Sequence, residues 1–407
     1  MLTSCGDRAD HQRKSPLPSQ AFVWQRRWTS QVSQAVQNAQ SFEALHFLAA
    51  EVRFKDGKPM IERFEPDRQA LKTFRGQTGV VLRIHASAAV TGWDDRAQAE
   101  IVRLSQEITS AWEKAGQKTA EIQIDYDCPE SKLADYARLL TTLKKTMPDM
   151  PICITALPSW FRQPGVRSLV ALSPGYVLQV HSLHLPKQGG RVTLMDETEA
   201  REAVRSAAEI GVPFRVALPT YSCVVLLNDD GKVAEVFGED LPSEFSAKGR
   251  RHLVLDADAY ALNALMDEWR LHAPETMNSV IWYRLPVTSD RLNWPAATLQ
   301  KIVADVPLKR GWTAKGRRRE AGLWDIVLTQ SGDAPDDLPR EIQIEWNGEM
   351  AEAADGLRGY QVSQQAPGWL RLSLTRPAQQ ARLWPGAETV AGWVRVESDL
   401  LKVKPKR

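Results

Sequence analysis

The stretch EIQIDYDCPESKLADYARLLTTLKKTM, residues 121–147, decides the fold because it holds one strand followed directly by one helix. Side chains alternate between apolar and polar over residues 121–127, which is the period of a β-strand. Over residues 131–147 the apolar side chains recur every three or four positions, as on the buried face of a helix. A strand that leads straight into an amphipathic helix is the repeating unit of a parallel α/β fold.

The same unit recurs across residues 21–306. The sequence predicts strands at residues 21–28, 44–53, 79–86, 121–127, 151–157, 176–183, 213–218 and 279–285. Helices are predicted at residues 30–40, 94–116, 131–147, 197–210, 257–271 and 294–304. Eight strands over this length predict a (β/α)8 TIM-type barrel. A doubly wound open sheet is the alternative, but it normally carries a Gly-rich phosphate loop after its first strand, and the sequence shows none.

The pattern changes after residue 306. Short alternating segments at residues 324–330, 340–346, 369–374 and 389–396 are separated by turn residues. They predict a small C-terminal all-β, sandwich-like domain over residues 307–400. We expect residues 401–407 to form a disordered tail. The basic run KGRRR at residues 315–319 is interpreted as a solvated loop.

Composition excludes some classes of function. Of 407 residues, 25% are charged and 43% are hydrophobic, and the net charge of +2 comes from interspersed basic and acidic residues. This balance gives no reason to expect a nucleic-acid partner. No apolar run approaches the ~20 residues of a membrane-spanning helix. The sequence has no cofactor-binding loop, no Cys or His spacing typical of a metal site and no Gly-x-Ser-x-Gly motif, so we expect neither a cofactor nor a metal.

The first residues resemble the end of a bacterial lipoprotein signal. In LTSCG, residues 2–6, a Leu and two small residues precede Cys5, the residue that would carry the lipid. We therefore predict a lipoprotein-like N-terminus and polar tether over residues 1–20, with the upstream part of the signal truncated. This places the chain in the cell envelope, as a membrane-anchored lipoprotein that faces the periplasm or the exterior. The alternative is an accidental match in a cytoplasmic barrel enzyme.

Two aspartates at the end of the strand at residues 121–127 are the best candidates for catalysis. Barrel enzymes place their chemistry at the C-terminal ends of the strands, on residues that point inward. If the apolar residues of this strand face the helices, Asp125 and Asp127 point into the barrel. Close carboxylates repel, so one of them can hold a proton at neutral pH. The alternative to a catalytic role is that one aspartate pairs with Arg83 or His85, or that it caps the next helix.

The other strand ends supply polar and aromatic side chains that could bind a substrate. Glu51 follows the second strand and is the candidate for a second catalytic carboxylate. The candidate substrate-binding residues are Trp24, Arg83, His85, Trp160, Gln179, His181, Tyr221, Trp282 and Arg284. Each one alone is more often a packing or structural residue. Together they suit a carbohydrate, whose rings stack on aromatic side chains and whose hydroxyls pair with charged groups.

Four segments resemble a bacterial family catalogued as domain of unknown function 3142. They are EIQIDYDCP at residues 121–129, ALPSW at 156–160, QVH at 179–181 and ALPTY at 217–221. The resemblance implies a bacterial, often exported, barrel protein without an established activity. It therefore implies no catalytic residues.

A more distant resemblance is to chitinase-type glycoside hydrolases. Their fourth strand carries alternating acids that end in a catalytic Glu, often followed by an aromatic residue and Pro. Here the last two acidic positions are Asp125 and Asp127, and Pro129 follows. The chain departs from that pattern in two places, because Gln123 replaces an acid and the shorter Asp127 stands where Glu is expected.

These observations predict a glycoside-hydrolase-like envelope protein that acts on a polysaccharide or oligosaccharide. Asp127 would be the general acid, Asp125 would modulate its protonation or orient the substrate, and Glu51 would be the base or nucleophile. The alternative is a non-catalytic glycan-binding or envelope assembly protein on a barrel scaffold. The departures at Gln123 and Asp127 keep both possibilities open, and whether the chain is an enzyme is left undecided.

Overall fold

The computed structural model describes residues 17–55, 58–85, 94–182, 193–238, 251–375 and 382–406. These residues divide into two compact units. The first holds the described residues up to 182, together with Thr193–Ala257 and Ala261–Asp305. The second holds Asp258–Tyr260 and the described residues from Val306 onward.

The first unit contains a closed ring of eight parallel strands. They are β1 (Ser19–Val23), β2 (Ala44–Lys55), β4 (Gln77–Ile84), β5 (Thr119–Tyr126), β6 (Ile152–Ala156), β7 (Tyr176–Gln179), β8 (Phe214–Pro219) and β12 (Met277–Tyr283), and β3 (Lys58–Arg63) forms an antiparallel hairpin with β2. Because β1 pairs with both β12 and β2, the ring has no free edge. The predicted (β/α)8 barrel is confirmed, and the open-sheet alternative is wrong.

Helices lie between the barrel strands along the chain. They are α1 (Ser30–Gln37), α2 (Arg68–Thr73), α3 (Asp95–Lys114), α4 (Leu133–Thr146), α5 (Val166–Val170), α6 (Glu197–Ile210), α7 (Ala259–His272) and α8 (Ala296–Val303). Asp196 caps the N-terminus of α6 by accepting from the backbone N–H groups of Thr198 and Glu199. Gly211, at φ +76°, ends α6 in the left-handed conformation that favours glycine.

The barrel interior is filled by apolar side chains from alternate strand positions. The cluster contains Phe22, Trp24, Leu48, Phe64, Val81, Cys153, Val177, Ala217 and Ile281, with Tyr283 packed against it. The barrel is therefore a packed core in its middle, and polar side chains reach the interior only toward its two ends.

An antiparallel sheet of three strands follows β8. It contains β9 (Ser222–Leu227), β10 (Val233–Phe237) and β11 (His252–Asp256), with β9 in the centre. A hairpin turn at residues 228–231 joins β9 to β10, and Gly231 takes φ +77° in it. None of the described helices is long and apolar enough to cross a membrane.

The second unit contains two antiparallel sheets of four strands. One has the order β13-β14-β19-β16 and the other β17-β18-β15-β20. Their bounds are β13 (Trp312–Glu320), β14 (Leu323–Gln330), β15 (Glu341–Glu345), β16 (Ala353–Gly356), β17 (Tyr360–Ala366), β18 (Trp369–Leu374), β19 (Glu388–Arg395) and β20 (Lys402–Lys406). The predicted all-β, sandwich-like architecture is confirmed, with four strands that the sequence pattern did not predict.

Two expectations about polar segments in this unit are wrong. The basic run at residues 315–319 lies in β13 and not in a loop, where Arg317 and Arg319 bond to the buried Asp325 at 3.2 and 3.1 Å. Residues 402–406 form β20, which pairs with β15 and was expected to be disordered. Both strands lie at sheet edges, where charged side chains point to solvent and hide the apolar alternation that predicts a strand.

Candidate active site

A pocket opens among the C-terminal ends of the barrel strands. Its cavity volume is about 120 Å³. The lining residues are Phe22, Trp24, Arg83, Asp125, Asp127, Thr155, Val177, Gln179, His181, Ala217, Tyr221 and Tyr283. Seven of them were predicted as site residues from the sequence: Trp24, Arg83, Asp125, Asp127, Gln179, His181 and Tyr221. The closed ring of strands brings these seven together from positions nearly 200 residues apart.

Asp125 lies on the inner face of β5 and both of its oxygens accept hydrogen bonds. Arg83 Nη1 donates to Oδ2 at 2.8 Å, and Thr155 Oγ1 donates to Oδ1 at 3.0 Å. The residue is only 5% exposed. A buried carboxylate needs such partners, because a lone charge in the protein interior is costly. Asp125 is therefore bound as the anion.

Asp127 follows β5 in a different environment. Its Oδ2 is 3.8 Å from Arg83 Nη2, and its Oδ1 is buried without a hydrogen-bond partner. Burial raises the pKa of Asp127 above its ordinary value, and the negative charge of Asp125 adds to this effect. Arg83 and His85 act in the opposite direction. Asp127 is the carboxyl of this pocket that favours keeping a proton.

Arg83 connects the two aspartates to the aromatic wall of the pocket. Its guanidinium carbon lies 5.6 Å from the centre of the Trp24 ring, a cation–π distance. The charge of Asp125 raises the pKa of Arg83 further above its already high value. Among the described residues that line the pocket, Arg83 is the only one that carries a positive charge at neutral pH.

The opposite wall is aromatic and uncharged. His181 stacks on Tyr283 at a ring distance of 5.6 Å, and Tyr221 meets both rings edge-on. Burial lowers the pKa of His181 to about 4, and Arg83 adds to this effect, so the imidazole is neutral at pH 7. Burial raises the pKa of the Tyr221 and Tyr283 hydroxyls, which keeps them protonated.

Two buried polar atoms of the pocket have no hydrogen-bond partner within the described part of the chain. Trp24 Nε1 and Asp127 Oδ1 are both buried and unpaired. Unpaired buried donors and acceptors cost free energy, and a ligand rich in hydroxyl groups would satisfy both kinds.

Glu51 is placed beside the pocket but does not line it. A bulge between Leu48 and Ala50 puts Glu51 in register with Arg83. Arg26 Nη2 donates to its Oε1 at 2.6 Å, and His85 Nε2 lies 3.2 Å from its Oε2. Burial alone would raise the pKa of Glu51, but the hydrogen bonds from His85 and Arg26 outweigh it and lower the pKa to about 2. Both oxygens of Glu51 are thus occupied.

Besides Glu51 and its partner His85, three predicted residues lie outside the pocket. Trp160 is fully buried and donates from Nε1 to the carbonyl of Cys128. Trp282 donates to Ser19 Oγ and packs on Trp294, on the face of β12 opposite to Tyr283. Arg284 is bound to Asp290 at 2.6 Å. These placements indicate structural roles for the three side chains.

Sequence reasoning missed Phe22, Thr155, Val177, Ala217 and Tyr283 in the pocket lining. Tyr283 could have been found from the alternation in β12, since the inward Ile281 lies two positions before it. Thr155 has no such signal, because a threonine in an apolar strand is ordinary.

Cys5 lies outside the described residues. Within the described residues, no group of three or more His, Cys, Asp or Glu side chains could hold a metal ion.

Two family models match the sequence. One, described as a domain of unknown function (DUF3142), matches residues 80–288, which is more than half of the chain. The chain belongs to the DUF3142 family. The resemblance inferred from the strand-end segments is thereby confirmed. A second model, also described as a domain of unknown function (DUF8456), matches residues 312–397. No curated protein matches the chain.

Solved structures similar to this DUF3142 chain include two chitinases and a spore cortex-lytic enzyme. Chitinase ChiA74 from Bacillus thuringiensis matches with a TM-score of 0.50 at 7% identity, over 96% of this chain and 100% of that one. The Bacillus cereus spore cortex-lytic enzyme SleL matches with a TM-score of 0.49 at 14% identity, over 72% and 74%. A chitinase from Chromobacterium violaceum matches with a TM-score of 0.48 at 11% identity, over 71% and 99%. At 7% identity, the likeness to ChiA74 concerns the fold alone.

Proposed function

We propose that this chain binds a saccharide in the barrel pocket and hydrolyses a glycosidic bond there, with Asp127 as the general acid. The observation that carries the proposal is the contrast between two carboxyls at the C-terminal end of β5. Asp125 is held as an anion by two hydrogen bonds, whereas Asp127 has a buried oxygen without a partner. A pair of carboxyls whose environments differ in this way supplies an acid and an anion at the same pH.

The unpaired polar atoms and aromatic rings of the pocket support a carbohydrate as the ligand. A sugar hydroxyl can accept from Trp24 Nε1 and donate to Asp127 Oδ1, because a hydroxyl is both donor and acceptor. Sugar rings present apolar C–H faces that pack on rings such as Tyr221 and Tyr283. The pocket offers these groups around an apolar floor of Phe22, Val177 and Ala217.

In the proposed reaction, Asp127 gives its proton to the glycosidic oxygen as the bond from the anomeric carbon to that oxygen breaks. The negative charge of Asp125 stabilises the positive charge that develops on the sugar ring. A water molecule then adds to the anomeric carbon, and the Asp127 carboxylate takes the proton that this water loses. We assign the second carboxylate to Asp125 rather than Glu51, since Asp125 lines the pocket and Glu51 does not.

The test is an assay of the purified protein against a panel of glycans, with released reducing ends as the readout. We expect Asp127→Asn to lower kcat by about 10²–10⁴-fold, the usual contribution of a general acid. Asp149→Asn removes a carboxylate from an exposed turn and serves as the matched control, with unchanged kcat. If no glycan yields reducing ends, or if Asp127→Asn keeps full activity, the proposal is wrong.

A second candidate function is saccharide binding without hydrolysis. The position of Glu51 favours this function. Glu51 is paired with Arg26 and His85 outside the lining, so Asp125 is the only carboxylate beside Asp127 among the described lining residues. Binding of a glycan without turnover, measured by calorimetry and unchanged by Asp127→Asn, would support this function over hydrolysis.

We also propose a location in the cell envelope through a lipid on Cys5. The support is the sequence LTSCG at residues 2–6 and the polar residues that follow it. The test is metabolic labelling with a radioactive fatty acid in a bacterial host, using the gene together with its upstream codons. Label on the protein that disappears in Cys5→Ser supports the anchor, and a protein without label contradicts it.

A further inference from the structure

We propose that Arg83 is a positioning residue that makes the two strand-end aspartates unequal, by holding Asp125 as the anion and so leaving the proton to Asp127. This deepens the proposed function and rests on it for its catalytic meaning, because a general acid must keep its proton beside a second carboxyl. Sequence reasoning placed Arg83 among the substrate-binding residues and gave pairing of an aspartate with Arg83 or His85 as the alternative. In the structure the guanidinium of Arg83 contacts Asp125 and Asp127.

The register of the sheet brings Arg83 to Asp125. The two residues are partners on the neighbouring parallel strands β4 and β5. Arg83 Nη1 donates to Asp125 Oδ2 at 2.8 Å, and Thr155 Oγ1 donates to Asp125 Oδ1 at 3.0 Å. A donor on each oxygen favours the carboxylate over the protonated carboxyl, because hydrogen bonds to a charged acceptor are the stronger ones.

The contact of the Arg83 guanidinium with Asp127 is longer than its contact with Asp125. Its Nη2 lies 3.8 Å from Asp127 Oδ2, which is too long for a hydrogen bond. The other oxygen of Asp127 is buried and unpaired. One cation therefore gives a hydrogen-bonded ion pair to Asp125 and only a longer-range attraction to Asp127.

Among the described residues around the pair, no cation other than Arg83 is hydrogen-bonded to either aspartate, although His85 also lowers the pKa of Asp127. Arg26 and His85 are bound to Glu51, and His181 is neutral at pH 7. The titratable groups that interact with Arg83 or the aspartates from the surrounding elements are Glu51, His85, Tyr136, His181, Tyr221 and Tyr283. The difference in protonation between Asp125 and Asp127 therefore depends on the position of the Arg83 guanidinium.

An arginine at position 83 suits this positioning role better than a lysine would. The guanidinium stays charged at any pH at which the protein is folded, and its planar fork has fixed donor directions. Trp24 flanks it with a ring centre 5.6 Å away. A lysine would carry the charge on a flexible chain and could move between the two aspartates.

Removing the Arg83 guanidinium should change how both aspartates bind protons. In Arg83→Met, Asp125 loses its ion pair and the two carboxyls share one proton. The pKa of Asp127 rises further, because Arg83 lowers it in the native protein. Arg83→Lys is expected to give an intermediate pKa for Asp127, since the charge remains but its fixed direction is lost.

The experiment is a pH titration by ¹³C NMR of protein labelled at the aspartate carboxyl carbons, with Asp125→Asn and Asp127→Asn to assign the two signals. We expect the Asp127 carbon of the native protein to titrate while the Asp125 carbon stays in its carboxylate position at the same pH. In Arg83→Met we expect both carbons to move over one pH range. Arg103→Met, which removes an exposed arginine of α3, is the control and should titrate like the native protein.

The inference is overturned if both carbons titrate together in the native protein, or if Arg83→Met and Arg83→Lys titrate like the control. The lysine variant gives the same decision should Arg83→Met fail to fold. The readout needs no turnover, so it separates the two proposals. Unequal titration that depends on Arg83, in a protein that releases no sugar, would reject hydrolysis and keep the role of Arg83.

Discussion

Asp125 and Asp127 are two residues apart, yet they are stabilised in different ways. Asp125 accepts two hydrogen bonds and lies in the ion pair with Arg83. Asp127 has a buried oxygen without a partner and a raised pKa, so its ionised form destabilises the folded protein at neutral pH. Such a residue is typical of a functional site, where a group that the reaction needs can lower the stability of the fold.

We expect Asp127→Asn to raise the free energy of unfolding at pH 7 and to leave it unchanged at pH 3. A carboxyl with a raised pKa in the folded state stabilises the fold below its unfolded pKa, and this contribution is lost as the pH rises through the folded pKa. Asparagine carries no charge at either pH. Urea unfolding at both pH values measures the effect, with Asp149→Asn as a control that should change neither value. A lower stability of Asp127→Asn at pH 7 would contradict the assignment.

Strand β4 carries a glycine where the barrel interior has no room for a side chain. A Cβ atom at Gly79 would lie 2.5 Å from His46 Nδ1. His46 is buried between Gln20, whose Oε1 is 2.9 Å from Nε2, and Gln123, whose Nε2 is 2.8 Å from Nδ1. The packing of β4 against β2 thus depends on a polar layer inside the barrel that tolerates no added atom at Gly79.

Gly79→Ala should lower the free energy of unfolding by about 1–3 kcal/mol, the usual cost of overpacking a core. The added methyl group must displace the His46 ring and break its hydrogen bonds. Chemical denaturation measures the loss, and a double variant with His46→Ala tests its cause. Because His46→Ala removes the clashing ring, the double variant should lose less than the sum of the single losses. Simple additivity would show that the clash with His46 is not the reason.

For the whole molecule, two buried histidines couple folding to pH. Burial lowers the pKa of His46 to about 4, with Arg215 adding to this effect and Glu121 opposing it. Burial likewise lowers the pKa of His181 to about 4, with Arg83 adding to the effect. Their ordinary value is 6.5, so both rings bind protons more readily in the unfolded chain. Their contribution to stability is fully present above pH 6.5 and is lost as the pH falls toward 4.

We expect each of these histidines to account for a loss of roughly 3 kcal/mol at most between pH 7 and pH 4. The measurement is the free energy of unfolding across this range for the native chain, His46→Gln and His181→Gln. Each substitution should reduce the difference between the two ends of the range, whereas His272→Gln, at an exposed helix end, should not. A pH dependence that both substitutions leave intact would contradict the lowered pKa values.

The sequence by itself determined the architecture, because the period of apolar residues is a local property that each strand and helix carries alone. It identified the eight barrel strands, placed helix α6 at its observed bounds and marked Asp125 and Asp127 as polar residues on an inward face. It missed β13 and β20, since edge strands carry charged residues that hide the period.

Only the tertiary structure decided which strand-end residues meet. The bulge between Leu48 and Ala50 sets the register of Glu51, and the pairing of Glu51 with Arg26 and His85 occupies its carboxylate. Alternation along β12 turns Tyr283 into the pocket and Trp282 away from it. The physical reason is that the register between strands and the pairing of charges depend on neighbours distant in sequence, so no single segment contains the information.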